Sequence, residues 1–100
     1  MRRIIFIFLC LLSLSSYAQI TVKGIVTSAS DKEPQIGTTI QVKGTGNGTI
    51  TGLDGDYSLT NVPKNGTLVF SMIGYETQEI AVNGRTTINV AMKESTELLD

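Results

Sequence analysis

The sequence predicts an all-β fold, a two-sheet antiparallel sandwich, and three observations carry that expectation. Apolar residues recur at every second position in seven short runs beyond residue 19, and no stretch shows a helical period of any length. Gly, Pro, Asn or Asp separates the runs at intervals of about 8 to 12 residues. A period of two sends alternate side chains to opposite faces of an extended chain, so each run offers one face to a core and one to water.

The first 18 residues stand apart from this pattern. Arg2 and Arg3 precede an uninterrupted apolar run from Ile4 to Leu12, followed by Ser-rich residues and a Ser16-Tyr17-Ala18 site with small residues at its first and third positions. That is the three-part plan of a secretory signal peptide, with cleavage expected between Ala18 and Gln19. A membrane-spanning helix needs about 20 apolar residues, and this run is far shorter. Cys10 sits inside the run, after Leu9 and before Leu11 and Leu12, rather than directly after it as a lipidated cysteine would, and it is expected to leave with the signal.

Residues 19–100 then form at most one domain of 82 residues, exported, with no Cys, His or Trp. The disulfide framework common in small secreted domains is absent, and a chain of this size buries only about 60 to 65% of its unfolded surface. With Arg2 and Arg3 removed, six Lys or Arg face nine Asp or Glu, a net charge of −3. The cations Lys23, Lys32, Lys43, Lys64, Arg85 and Lys93 are scattered singly. Phosphate binding wants clustered positive charge, so nucleic acid is excluded as a partner.

In order, the run from Ile20 to Ser28 puts Ile20, Val22, Gly24 and Val26 on one face and Thr21, Lys23 and Thr27 on the other. Thr38 to Gly44 repeats the pattern, with Ile40 and Val42 inward. A short Thr-rich run, Gly48 to Gly52, is followed by Asp56 to Thr60, which places Tyr57 and Leu59 on one side. Thr67 to Ile73 is apolar on both faces, marking the most buried strand. Tyr75 to Val82 and Thr86 to Met92 flank Asn83-Gly84, the strongest short-range hairpin signal there is, and Ile80 and Val82 are expected to share a core with Ile88, Val90 and Met92.

Without His or Cys beyond residue 18, a Ser-His-Asp triad, a Cys-His pair and the usual zinc sites are excluded. Asp54 and Asp56 offer two oxygen donors on one loop, but the further spaced ligands and closing Glu of a calcium loop are missing. Asp-Gly there is turn chemistry. Glu76 and Glu79, three apart on an extended strand, point to opposite faces and cannot converge on one atom. The triplets at Asn47 and Asn65 match a glycosylation acceptor, yet both sit where a strand begins and read as turns. Gly44, Gly46 and Gly48 lack the following helix that a phosphate loop needs. Tyr57 and Tyr75 are read as core or corner residues whose hydroxyls reach the backbone, rather than as stacking platforms. No catalytic residue, cofactor or metal ligand is expected.

Several motifs at fixed spacing carry a resemblance: Gly24 to Thr27 (GIVT), Glu33 to Gly37 (EPQIG), Lys43 to Thr45 (KGT) followed by GTITGLDGDYSL, then LVFSMIGY and VNGRTTINVAM. In this order they resemble the carboxypeptidase regulatory-like domain, in the form found at the N-terminus of SusC-like TonB-dependent outer-membrane transporters of Bacteroidota, over essentially all of residues 20–95. The resemblance implies a seven-stranded, transthyretin-like Greek-key sandwich at the periplasmic face of the outer membrane. It implies a non-catalytic accessory module joined in cis to a plug and barrel, near TonB, with the barrel importing glycans or peptides alongside a surface lipoprotein.

The resulting organisation is a signal peptide over 1–18, a sandwich over 19–92 and a connector over 93–100, where Glu94, Glu97, Leu98, Leu99 and Asp100 lose the period of two. The chain stops where the TonB-contacting segment of that family would start, so it reads as the N-terminal piece of a longer transporter or a truncated frame. An exposed edge strand is the expected docking surface. The rival expectation is a stand-alone secreted carbohydrate- or protein-binding sandwich using Tyr57 or Tyr75; with only Phe70 as a further aromatic, it is the weaker of the two.

Overall fold

The computed structural model describes residues 19–95, so the expected signal peptide with Cys10 and Ala18, and Leu98 and Leu99 of the expected connector, lie outside the described residues. Seven strands follow in order: β1 (Gln19–Ser28), β2 (Thr39–Val42), β3 (Gly48–Ile50), β4 (Asp56–Pro63), β5 (Thr67–Ser71), β6 (Gln78–Ala81) and β7 (Val90–Met92). They form one sheet of order β4-β1-β7 and a second of order β3-β2-β5-β6. The fold is the expected all-β pair of sheets with its core between them.

The alternating residues fill that core. Val22 and Val26 of β1, Tyr57 and Leu59 of β4, and Val90 and Met92 of β7 meet Ile40, Val42, Leu68 and Phe70 from the facing sheet, all buried. Removing apolar surface from water, at roughly 25 cal/mol per Å², is what holds the layers together. Tyr57 and Phe70 make the most specific contact across the layers, an edge-on pair with ring centroids 5.7 Å apart and planes at 77°.

β5 lies between β2 and β6 and has no exposed residue, as its sequence predicts. The strand ends sooner than the apolar run does. The Tyr75 N–H bonds the Met72 carbonyl at 3.0 Å, closing a turn that leaves Ile73 96% exposed instead of paired. In β4 the sequence pattern missed a core residue. Tyr57 and Leu59 face inward, and strict alternation would turn Val62 outward, but the register to β1 slips by one residue between Leu59 and Val62. Asn61 takes a left-handed φ of 57° there, and the bulge returns Val62 to full burial.

The Asn83-Gly84 hairpin is the expectation that fails. The turn itself forms: φ is 51° at Asn83 and 72° at Gly84, and the Arg85 N–H bonds the Val82 carbonyl at 3.0 Å. Yet β6 pairs with β5, while β7 crosses to the other sheet and runs parallel to β1, with Val26 opposite Val90 and Ser28 opposite Met92. The sandwich is therefore mixed rather than wholly antiparallel. The reason is competition for edges, since β1 offers an unpaired side to residues 86–92 and the turn leaves the chain pointing towards it. Val82 and Ile88 both stay buried across this crossing.

Gly24 permits that approach. The Lys23 N–H bonds the Thr86 carbonyl at 3.0 Å and the Ile88 N–H returns to the Lys23 carbonyl at 2.9 Å. The next rung is replaced: the Ile25 N–H bonds Asn89 Oδ1 at 2.9 Å, freeing the Ile88 carbonyl to accept from the Tyr57 hydroxyl at 2.6 Å. A Cβ on Gly24 would sit 1.9 Å from that carbonyl oxygen.

Beyond β7, residues 93–95 stay on the sandwich, with the Glu76 N–H on the Lys93 carbonyl at 2.8 Å and the Ser95 N–H on the Gly74 carbonyl at 2.9 Å. A small polar knot closes the same end. Thr51 Oγ1 accepts from the Thr38 N–H at 2.9 Å and donates to the Gln35 carbonyl at 2.5 Å, whereas Thr38 Oγ1 is buried without a partner.

Two stability measurements follow. Gly24→Ala should lower the urea-unfolding free energy by about 3 kcal/mol, because the methyl group collides with fixed backbone. Thr38→Val should raise it by about 1 kcal/mol by removing an unsatisfied hydroxyl, while Thr51→Val, which orphans two buried groups, should lower it by about 2 kcal/mol.

Candidate interaction site

The fold places each of the polar candidates in a turn, a loop or a strand. Gln19 opens β1 and pairs with Pro63. Asp54 and Asp56 flank a tight turn in which the Gly55 N–H bonds the Gly52 carbonyl and the Gly52 N–H bonds the Asp56 carbonyl, both at 2.9 Å. Glu79 forms an exposed ion pair with Lys43 at 2.8 Å, and Glu76 lies in the loop before β6. Among the described residues, no group of three His, Cys, Asp or Glu side chains is placed to hold a metal ion.

The aromatics pack into or against the core. Phe70 and Tyr57 are buried, and Tyr75 is half-buried against the core. Burial pushes the Tyr57 hydroxyl up to about 12, with the Arg85 charge pulling the other way. Asn47 is structural, its Nδ2 donating to the Thr60 carbonyl at 2.8 Å.

Surfaces remain, and the sheet edges are the first of them. Three edges are capped by side chains that sequence spacing did not reveal. Gln78 Nε2 donates to the Ala91 carbonyl of β7 at 2.7 Å, Arg85 donates to the Ala81 carbonyl of β6, and Asn47 caps β4 at Thr60. Such caps occupy the acceptors that an incoming strand would need. Beside the fourth edge, β3, an open groove of about 750 Å³ runs between Ile50 and the Ser58 region of β4, with Ile25 and Asn89 on its floor. The expectation of an available edge narrows to this seam.

Two layers of short strands and partly capped edges define a small β-sandwich module. Residues 22–100 match the CarboxypepD_reg-like domain, and the chain belongs to that family. It is 46% identical over 90 residues to the TonB-dependent receptor SusC of Bacteroides thetaiotaomicron, a match covering 89% of this chain and 9% of that protein. It is 40% identical over 99 residues to a TonB-dependent receptor of Formosa agariphila, covering 93% of this chain and 9% of that one. The chain thus spans about a tenth of the length of these curated relatives. Among solved structures, a chain of a type II cohesin–X–dockerin complex (a C-terminal interface mutant) from Acetivibrio cellulolyticus superposes with a TM-score of 0.58 at 21% identity, over 71% of this chain and 52% of that one. That likeness concerns the fold alone.

The buried hydroxyl has a measurable consequence. The Tyr57 pKa is raised from 10.0 to about 12 in the folded state, so its contribution is complete below pH 10 and is lost as pH climbs towards 12, where only the unfolded chain ionises readily. Urea midpoints measured from pH 8 to 12 should fall more steeply above pH 10 in the native chain than in Tyr57→Phe, which should itself be weaker at pH 8 by about 1 to 3 kcal/mol because the Ile88 carbonyl is orphaned.

Proposed function

We propose that this chain is the periplasmic N-terminal accessory domain of a SusC-like TonB-dependent outer-membrane transporter for glycan or peptide uptake, and that it works as an adapter rather than a catalyst. The observation that supports this reading best is the 46% identity to SusC spread over 89% of the chain. A match of that breadth compares whole domain with whole domain, not one motif.

In this reading the signal peptide directs export, and cleavage between Ala18 and Gln19 frees the start of β1. The sandwich then acts as a spacer. Its two ends are distinct: β1 starts beside Pro63, whereas residues 93–95 leave beside Gly74 at the opposite end. A plug and barrel following in cis would hang from the Gly74 end, and TonB or another periplasmic protein would meet the domain or the connector there. Burial of Tyr57 and partial burial of Tyr75 against the core support this reading over a stand-alone sugar binder that stacks on them.

Deleting residues 19–92 from the full transporter, with the signal and connector kept, should reduce substrate uptake while barrel abundance in the outer membrane, read by surface labelling, stays the same. Undiminished uptake would refute the adapter role.

A further inference from the structure

We propose that one end of the sandwich, built from residues 29–38, 51–55, 72–77 and 93–95, is a docking surface for a basic protein segment carrying aliphatic side chains. The first observation is where exposed apolar side chains collect. Ile36, Leu53 and Ile73 stand on three different loops of this end, Leu53 82% and Ile73 96% exposed. Ile25 and Ile50, the other large exposed aliphatics, sit where β1 and β3 approach the same loops, opposite Asp56 and Thr39.

The loops converge. The Gly37 N–H bonds the Thr51 carbonyl at 3.2 Å, and Gly37 and Ile73 line one shallow groove of about 510 Å³. Single exposed aliphatics are ordinary on a protein surface, but a gathering of them at one end marks a place that another surface covers.

Charge says what kind of surface. Asp31, Glu33, Asp54, Asp56, Glu76 and Glu94 are all exposed around this end, against Lys32 and Lys93, with Lys23 beside Ile25 in the groove next to β3. The remaining described carboxylate, Glu79, is already paired with Lys43. Among the described residues, the opposite end carries Lys43, Lys64 and Arg85 and none of the large exposed aliphatics. An apolar patch ringed by carboxylates repels an anionic lipid surface, an acidic segment or the same end of a second copy. It attracts lysines and arginines flanking aliphatic anchors, which would steer the encounter and then bury Leu53 and Ile73. The inference rests on this end's geometry and not on the transporter reading, so either can fail without the other.

The test is an amide NMR titration of the chain recovered from the periplasm of an expressing bacterium. The probe is a seven-residue peptide alternating lysine with leucine; its lysine–serine and glutamate–leucine counterparts are the controls. Only the lysine–leucine peptide should bind, moving the amides of Ile36, Leu53 and Ile73 most. Affinity should fall about ten-fold in Leu53→Ser/Ile73→Ser, whose side chains are too exposed to matter for folding, and again on raising salt from about 0.05 to 0.5 M. Equal binding of the glutamate–leucine peptide, shifts centred on Lys43, Lys64 and Arg85, association with phosphatidylglycerol vesicles, or self-association of the free chain that the double variant abolishes would each overturn the proposal.

Discussion

The fold depends on β1 being paired on one side from Gln19 to Ile25 and on the other from Lys23 to Ser28. On one side it takes β4 antiparallel; on the other it takes residues 86–92 in parallel. The second pairing is possible only because Gly24 has no side chain, so the Ile88 carbonyl can lean over it and reach the Tyr57 hydroxyl. Tyr57 in turn sets its ring edge-on to Phe70 in the facing sheet. One missing methyl group thereby connects the parallel rung, the buried hydroxyl and the contact between layers.

Side chains cover part of the sandwich's edges. Its open sheets have four edges, and Gln78, Arg85 and Asn47 each place a side-chain donor on an edge carbonyl. These polar residues look like solvated surface in the sequence, because their partners lie 4 to 14 residues away on another element. The exposed aliphatics collect instead at the loop end, where charge of one sign predominates.

Much of this was legible in the sequence, and the parts that were not have a common cause. The strand faces were readable at Val22, Val26, Ile40, Val42, Leu59 and Phe70, since period-two alternation is a local property. Val62 escaped because a bulge at Asn61 breaks the period, and a left-handed Asn within a strand has no signature distinct from any other Asn. Ile73 continues the apolar run of β5 in the sequence, and apolarity alone does not mark where a turn intervenes. The docking end was invisible, because Ile36, Leu53 and Ile73 are far apart along the chain and each is unremarkable alone.

By itself the sequence determined the class of fold, the inward residues of most strands and the local shape of the Asn83-Gly84 turn. Each depends on the chemistry of a few consecutive residues. The tertiary structure alone decided that the strands on either side of that turn do not pair, that β7 lies parallel to β1, and that loops distant in sequence share one end. Those outcomes are settled by which edge is free and how closely two backbones can approach, and neither is a property of any single stretch of chain.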